Sequence, residues 1–145
     1  MSESTPQKSN LHAVLIGIDC YLPNLLPGGG SYPSLAGCVR DINNVEDFLV
    51  QNLKVPQGNI HKLTSSRSLG SDKPSDSPDK WPSYENMIDV LKKVTEMAQS
   101  GEEVYIHYSG HGGRATTAYP ELKGQNGLDE TLVPLDIGNS EARYL

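Results

Sequence analysis

Residues 11–18, LHAVLIGI, form a near-continuous apolar run. The run is too short for a stable helix and rich in branched side chains, which predicts a strand buried on both faces, as in a parallel sheet. After a Pro- and Gly-rich loop, Leu35, Val39, Ile42, Val45, Leu49 and Leu53 recur at three- and four-residue steps. That spacing predicts an amphipathic helix, with Ser34 as its N-cap. Residues 59–64, NIHKLT, read as a second, weaker strand. Residues 65–82 are dominated by Ser, Asp, Pro and Lys. They offer little to bury and predict a mobile surface loop. Ser83 caps a second predicted helix, with Met87, Val90, Leu91, Val94 and Met97 or Ala98 on one face. EVYIHYS, 103–109, is the best-marked strand, and NGLDETLVPLDI, 126–137, predicts a turn and a short extended piece.

Strand, helix, strand, helix, strand is the order of an α/β fold, a mostly parallel sheet flanked by helices. Ligands of such sheets sit at the carboxyl ends of the strands. That edge holds Asp19 after the first strand, Thr64 after the second, and residues 109–113 after the third. Asp41, early in the first helix, is placed to reach the same edge.

Length changes the picture little: 145 residues make one domain, read as 11–145 behind a disordered stretch at 1–10. Charge excludes more. A net charge of −6 argues against nucleic acid and against an anionic membrane surface as partners. The N-terminal MSESTPQKSN has no apolar signal-peptide core, and no apolar run reaches the length of a membrane span. Two cysteines are too few for a disulfide framework, so a reducing compartment, cytoplasm or nucleus, is expected.

The candidate chemistry lies in YIHYSGHGGR, 105–114. His111 stands among Gly110, Gly112 and Gly113, which allow positive φ and close approach of another group. An isolated histidine is as often a satisfied core residue, but a loop position over a rigid sheet favours function. His107 and His111 are four apart without H-E-x-x-H, so zinc is not indicated, and His107 reads as a packed strand residue. GGGS at 28–31 lacks the lysine of a phosphate loop. HGG is found in esterase oxyanion loops, but no G-x-S-x-G accompanies it.

HAVLIGID, LAGCVRDINNVEDFL, VPQGNIHKLT and VYIHYSGHGG, in that order, resemble the N-terminal half of the caspase-like cysteine peptidases, the metacaspases above all. The resemblance covers about residues 11–137. It implies a caspase-like fold and peptide hydrolysis after Arg or Lys by a Cys–His dyad, with a role in regulated cell death. His111 matches the family's histidine, and Gly112 a position whose N–H helps hold the oxyanion. Asp41 matches the acid that pairs with a substrate Arg or Lys, and Ser109 a residue lining that pocket. The partner so implied is a peptide or protein with basic residues.

The family's nucleophile strand is not found before Leu145, and neither Cys20 nor Cys38 lies in its context. The domain is therefore expected to be incomplete at its C-terminal side, inactive alone, and prone to self-association through the exposed edge of the third strand. No cofactor is required. Several relatives use calcium, for which Asp129, Glu130, Asp136 and Glu141 are the candidate ligands, although acidic residues in a surface loop are more often simply solvated. The rival readings are a catalytically inactive caspase-like binding module and an esterase.

Overall fold

The computed structural model describes residues 10–145. The polar stretch expected to be disordered therefore lies, except for Asn10, outside the described residues. Five strands and three helices follow in the order β1 (Leu11–Ile18), α1 (Cys38–Gln51), β2 (Ile60–Ser65), α2 (Tyr84–Met97), β3 (Glu103–Ser109), β4 (Gly112–Thr116), α3 (Pro120–Lys123) and β5 (Leu128–Leu132). A three-stranded parallel sheet runs β2-β1-β3, and β4 pairs antiparallel with β5 as a separate two-stranded sheet. This is the α/β fold with a parallel sheet flanked by helices that the apolar pattern predicts.

β1 is central, so both of its faces are covered and its sequence is apolar except for the buried His12. Val14, Ile16 and Ile18 pack with Leu63 of β2, Met87 and Val94 of α2, and Val133, Leu135 and Ile137. Ala13 and Leu15 point the other way, onto Ile42 and Leu49 of α1 and Val55. Each large apolar side chain so buried contributes about 1.5–3 kcal/mol. Gly17 is on the α1 face, where a Cβ would lie 2.7 Å from Ile42 Cγ1 and 3.0 Å from the Cys38 carbonyl oxygen. The missing side chain lets the start of α1 sit directly on the end of β1.

The start of α1 differs from the sequence expectation. Ser34 does not cap the helix; its Oγ accepts the Tyr21 N–H. The N-cap is Gly37, at φ 100°, with no side chain to offer. Asp19, at the end of β1, supplies the acceptors: Oδ1 to Cys38 N–H at 2.8 Å and Oδ2 to Val39 N–H at 3.4 Å. The second helix follows the prediction, with Ser83 Oγ accepting the Asn86 N–H. Residues 65–82 carry a hydrogen-bonded centre at Asp76. Its carboxylate accepts from Thr64 Oγ1 and the Ser66 N–H, and its carbonyl from Trp81 Nε1.

The segment after β5 is a core element. Val133, Pro134 and Leu135 are fully buried, and Leu135 bonds Leu22 N–H and Pro82 O. At the opposite extreme, β3 keeps one edge open, and its Val104 and Ile106 are 44% and 53% exposed.

Candidate active site

His111 leaves β3 two residues past its end, and both its backbone and its ring are held. Its N–H donates to Tyr21 Oη at 2.8 Å, and its carbonyl accepts from Tyr108 Oη at 2.7 Å and Val133 N–H at 3.2 Å. The imidazole lies between two phenol rings, with centroids 4.9 Å from Tyr21 and 5.3 Å from Tyr32. Nε2 sits 2.8 Å from the Pro33 carbonyl oxygen. A carbonyl only accepts, so Nε2 carries the proton and, in the neutral ring, Nδ1 holds the lone pair. Nδ1 makes no hydrogen bond among the described residues. The ring is thus oriented as a base.

The three glycines around His111 serve space rather than backbone freedom. None of them has a positive φ, contrary to the sequence expectation. A Cβ on Gly110 would lie 2.7 Å from Tyr108 Oη and 2.9 Å from Tyr21 Oη; one on Gly113 would lie 2.7 Å from Tyr144 and 2.8 Å from Tyr32 Oη. Two glycines are therefore vacated by tyrosines. Gly112 is different, since only the Thr131 carbonyl comes within 4 Å, at 3.7 Å. Gly112 pairs with Leu132, and the bond from Val133 N–H to the His111 carbonyl makes that a non-hydrogen-bonded pair. Its N–H is left out of the β4–β5 ladder.

The other predicted residues gather at the start of α1. Ser109 is level with Gly17 across the sheet, the position on which the start of α1 rests. Asp41 sits in the first turn of α1 with its side chain 53% exposed, 3.8 Å from Arg40. Residues 33–35 tie this group to the histidine: Pro33 O holds the ring, Ser34 holds Tyr21, and Leu35 N–H donates to the Asp19 carbonyl at 2.7 Å. His107, expected to be packed, is only partly covered on the edge strand, with Nδ1 2.8 Å from Tyr105 Oη.

Both thiols are held protonated. Burial pushes the Cys20 thiol up, and its Sγ faces the Asp72 carbonyl. Cys38 opens a helix, a setting that ordinarily favours thiolate. Burial, joined by the charges of Asp19 and Asp41, instead pushes it up.

The four candidate calcium ligands are scattered. Asp129 is paired with Lys123 at 2.6 Å, Glu130 with Arg114 at 2.9 Å, and Asp136 accepts the Tyr84 N–H where α2 begins; Glu141 is exposed. Among the described residues no three His, Cys, Asp or Glu side chains gather closely enough to hold a metal ion. The four carboxylates are not gathered at one centre, and no step below is routed through a cation. Among the described residues, too, no helix is long and apolar enough to cross a membrane.

Comparison with known proteins matches residues 11–142 to the metacaspase, peptidase C14 domain family. Metacaspase-1 of Candida albicans (strain SC5314) is 33% identical over 129 residues, which is 86% of this chain and 25% of the relative. Metacaspase-1 of Cryptococcus neoformans var. neoformans serotype D (strain JEC21) is 32% identical over 110 residues, 74% of this chain and 21% of the relative. Metacaspase-1 of Eremothecium gossypii is 30% identical over 130 residues, 88% of this chain and 24% of the relative. The chain spans a quarter or less of the length of these curated relatives.

Proposed function

The chain belongs to the metacaspase, peptidase C14 family, and from that premise we propose that the protein is a cysteine endopeptidase in which His111 is the acid–base partner of a cysteine outside these 145 residues. One observation carries the reading: Nε2 of His111 is tied to Pro33 O, which leaves Nδ1 as the free base at the carboxyl edge of the sheet. The thiols of Cys20, buried, and Cys38, half-buried, are both pushed up by desolvation, which supports a nucleophile from elsewhere.

In this mechanism Nδ1 takes the thiol proton and the thiolate attacks the scissile carbonyl carbon. The resulting oxyanion is met by the Gly112 N–H, which β5 does not use. The imidazolium, still bonded to Pro33 O through Nε2, gives its proton to the leaving amine as the C–N bond breaks. Water, deprotonated by the same nitrogen, then hydrolyses the thioester. Asp41 supplies the charge for a substrate Arg or Lys, and Ser109 lines the same end of the sheet.

The test uses the full-length protein. His111→Ala abolishes cleavage of Arg-containing peptides. Asp41 is exposed until a substrate covers it, so Asp41→Ala costs about 2 kcal/mol, the low end for a desolvated charge pair, and that loss falls on Arg over Leu preference. An unchanged preference would remove Asp41 from the pocket. Tight binding of Arg peptides without turnover would favour the inactive binding module.

A further inference from the structure

We infer that Tyr21 and Tyr108 form a phenol clasp that positions His111 through its backbone, and that both are positioning residues for the proposed catalytic imidazole. The inference rests on the reading of His111 as an acid–base group. It goes beyond that reading by naming what holds the histidine in place.

The clasp has one protein group on each side of the residue. Tyr21 Oη receives the His111 N–H at 2.8 Å, and Tyr108 Oη faces the His111 carbonyl at 2.7 Å and the Val133 carbonyl at 2.9 Å. The two phenol oxygens are 3.3 Å apart. Each phenol has a single proton. Tyr108 gives its proton to one of the two carbonyls. Tyr21, having accepted from His111, keeps its own for Val133 O at 3.4 Å or for Tyr108 Oη. Burial pushes both phenols up from their ordinary range, so both stay protonated and the pattern holds wherever a peptidase works.

The anchors are the ends of two parallel neighbours. Tyr108 is in β3 and Tyr21 lies three residues past the end of β1, itself only 4% exposed. A histidine in a short loop between β3 and β4 is thereby referred to the buried central strand and its neighbour. Tyr21 acts twice, since its ring also packs against the imidazole it anchors. Gly110 belongs to the device, because the place of its Cβ is taken by both phenol oxygens. Nothing else about Gly110 requires glycine, as its φ is not positive.

The experiment uses the full-length protein labelled with 15N-histidine, so that one sample reports the His111 amide and its ring Nε2–H. Tyr21→Phe keeps the ring and removes the acceptor; Tyr108→Phe removes the donor. Each is expected to speed His111 amide exchange about two- to tenfold, the factor for one net hydrogen bond. Each is also expected to broaden the Nε2–H resonance and to lower kcat by up to about 100-fold with KM unchanged, as for a misplaced catalytic group. Tyr144→Phe, which removes a nearby phenol that does not touch His111, leaves both His111 signals unchanged. If a phenylalanine variant fails to fold, Gly110→Ala takes its place, because its methyl displaces both phenols and gives the same signature. Unchanged Nε2–H and unchanged kcat in variants of lowered stability would overturn the inference, leaving the tyrosines as packing alone. Failure of the peptidase reading is separate: His111→Ala would retain activity, while the His111 nitrogen signals in the tyrosine variants would still report on the clasp.

Discussion

Asp19→Ala removes the only side-chain acceptors that the described residues bring to the start of α1. The carboxylate receives two of the N–H groups that a helix start leaves unpaired, at 2.8 and 3.4 Å, and it does so from another element. No local substitute exists, because Gly37 caps without a side chain. Loss of a side-chain cap costs about 1–2 kcal/mol, and loss of a negative charge at the positive end of the helix dipole adds about 0.3–1 kcal/mol. The expected total is about 1.3–3 kcal/mol, which for a chain of this size lowers Tm by roughly 3–12 °C. Asp19→Asn keeps an acceptor and loses only the charge, so it should cost about 1 kcal/mol or less. Urea and thermal unfolding followed by far-UV circular dichroism would separate the three proteins. The reasoning is refuted if Asp19→Ala unfolds within about 0.5 kcal/mol of the parent, the scatter of neutral surface changes. It also fails if Asp19→Asn is as damaging as Asp19→Ala, since the acceptor would then contribute nothing.

Cys20 and Cys38, both with raised thiol pKa, should be alkylated by iodoacetamide at pH 8 more slowly in the folded chain than in urea; faster reaction when folded would mark an activated thiol. Tyr32 is pushed up to about 12, first by burial and then by the Tyr144 phenol 3.0 Å away. The unfolded phenol ionises near its ordinary 10, so between about 10 and 12 the unfolded state binds fewer protons and stability falls as pH rises, with nothing lost below 10. Tyr32→Phe should flatten that fall in unfolding curves taken across the window, and identical slopes would speak against it. The open edge of β3, with Ile106 53% exposed and no Lys or Pro from 104 to 109, is expected to pair with a second copy. Light scattering should show association that Ile106→Lys weakens, whereas a monomer with strongly protected amides at 104–109 would contradict it.

The sequence by itself carried the sheet, both long helices and the place of His111, because burial on one or two faces writes a period of two or 3.6 into the apolar positions. β1 is apolar at all but His12 since it is covered by α2 on one side and α1 on the other. Ser83 was readable as a cap because capping within three residues is a local matter. What acts across long separations left no such period. Asp19 caps a helix nineteen residues further on, and Ser34 is turned to Tyr21 instead. Pro33 orients the ring of His111 with a carbonyl, a group every residue has and no sequence can mark. The extended piece that holds β5 was legible, but β4 and its pairing with β5 were hidden by glycines that read as a turn. One signal was present and unread: seven tyrosines against one phenylalanine, a ratio that points to hydroxyl groups in use. Which carbonyl and which amide those hydroxyls meet was decided only when β1, β3 and the segment after β5 came together, for a hydrogen bond depends on distance and direction, and neither exists until the chain has folded.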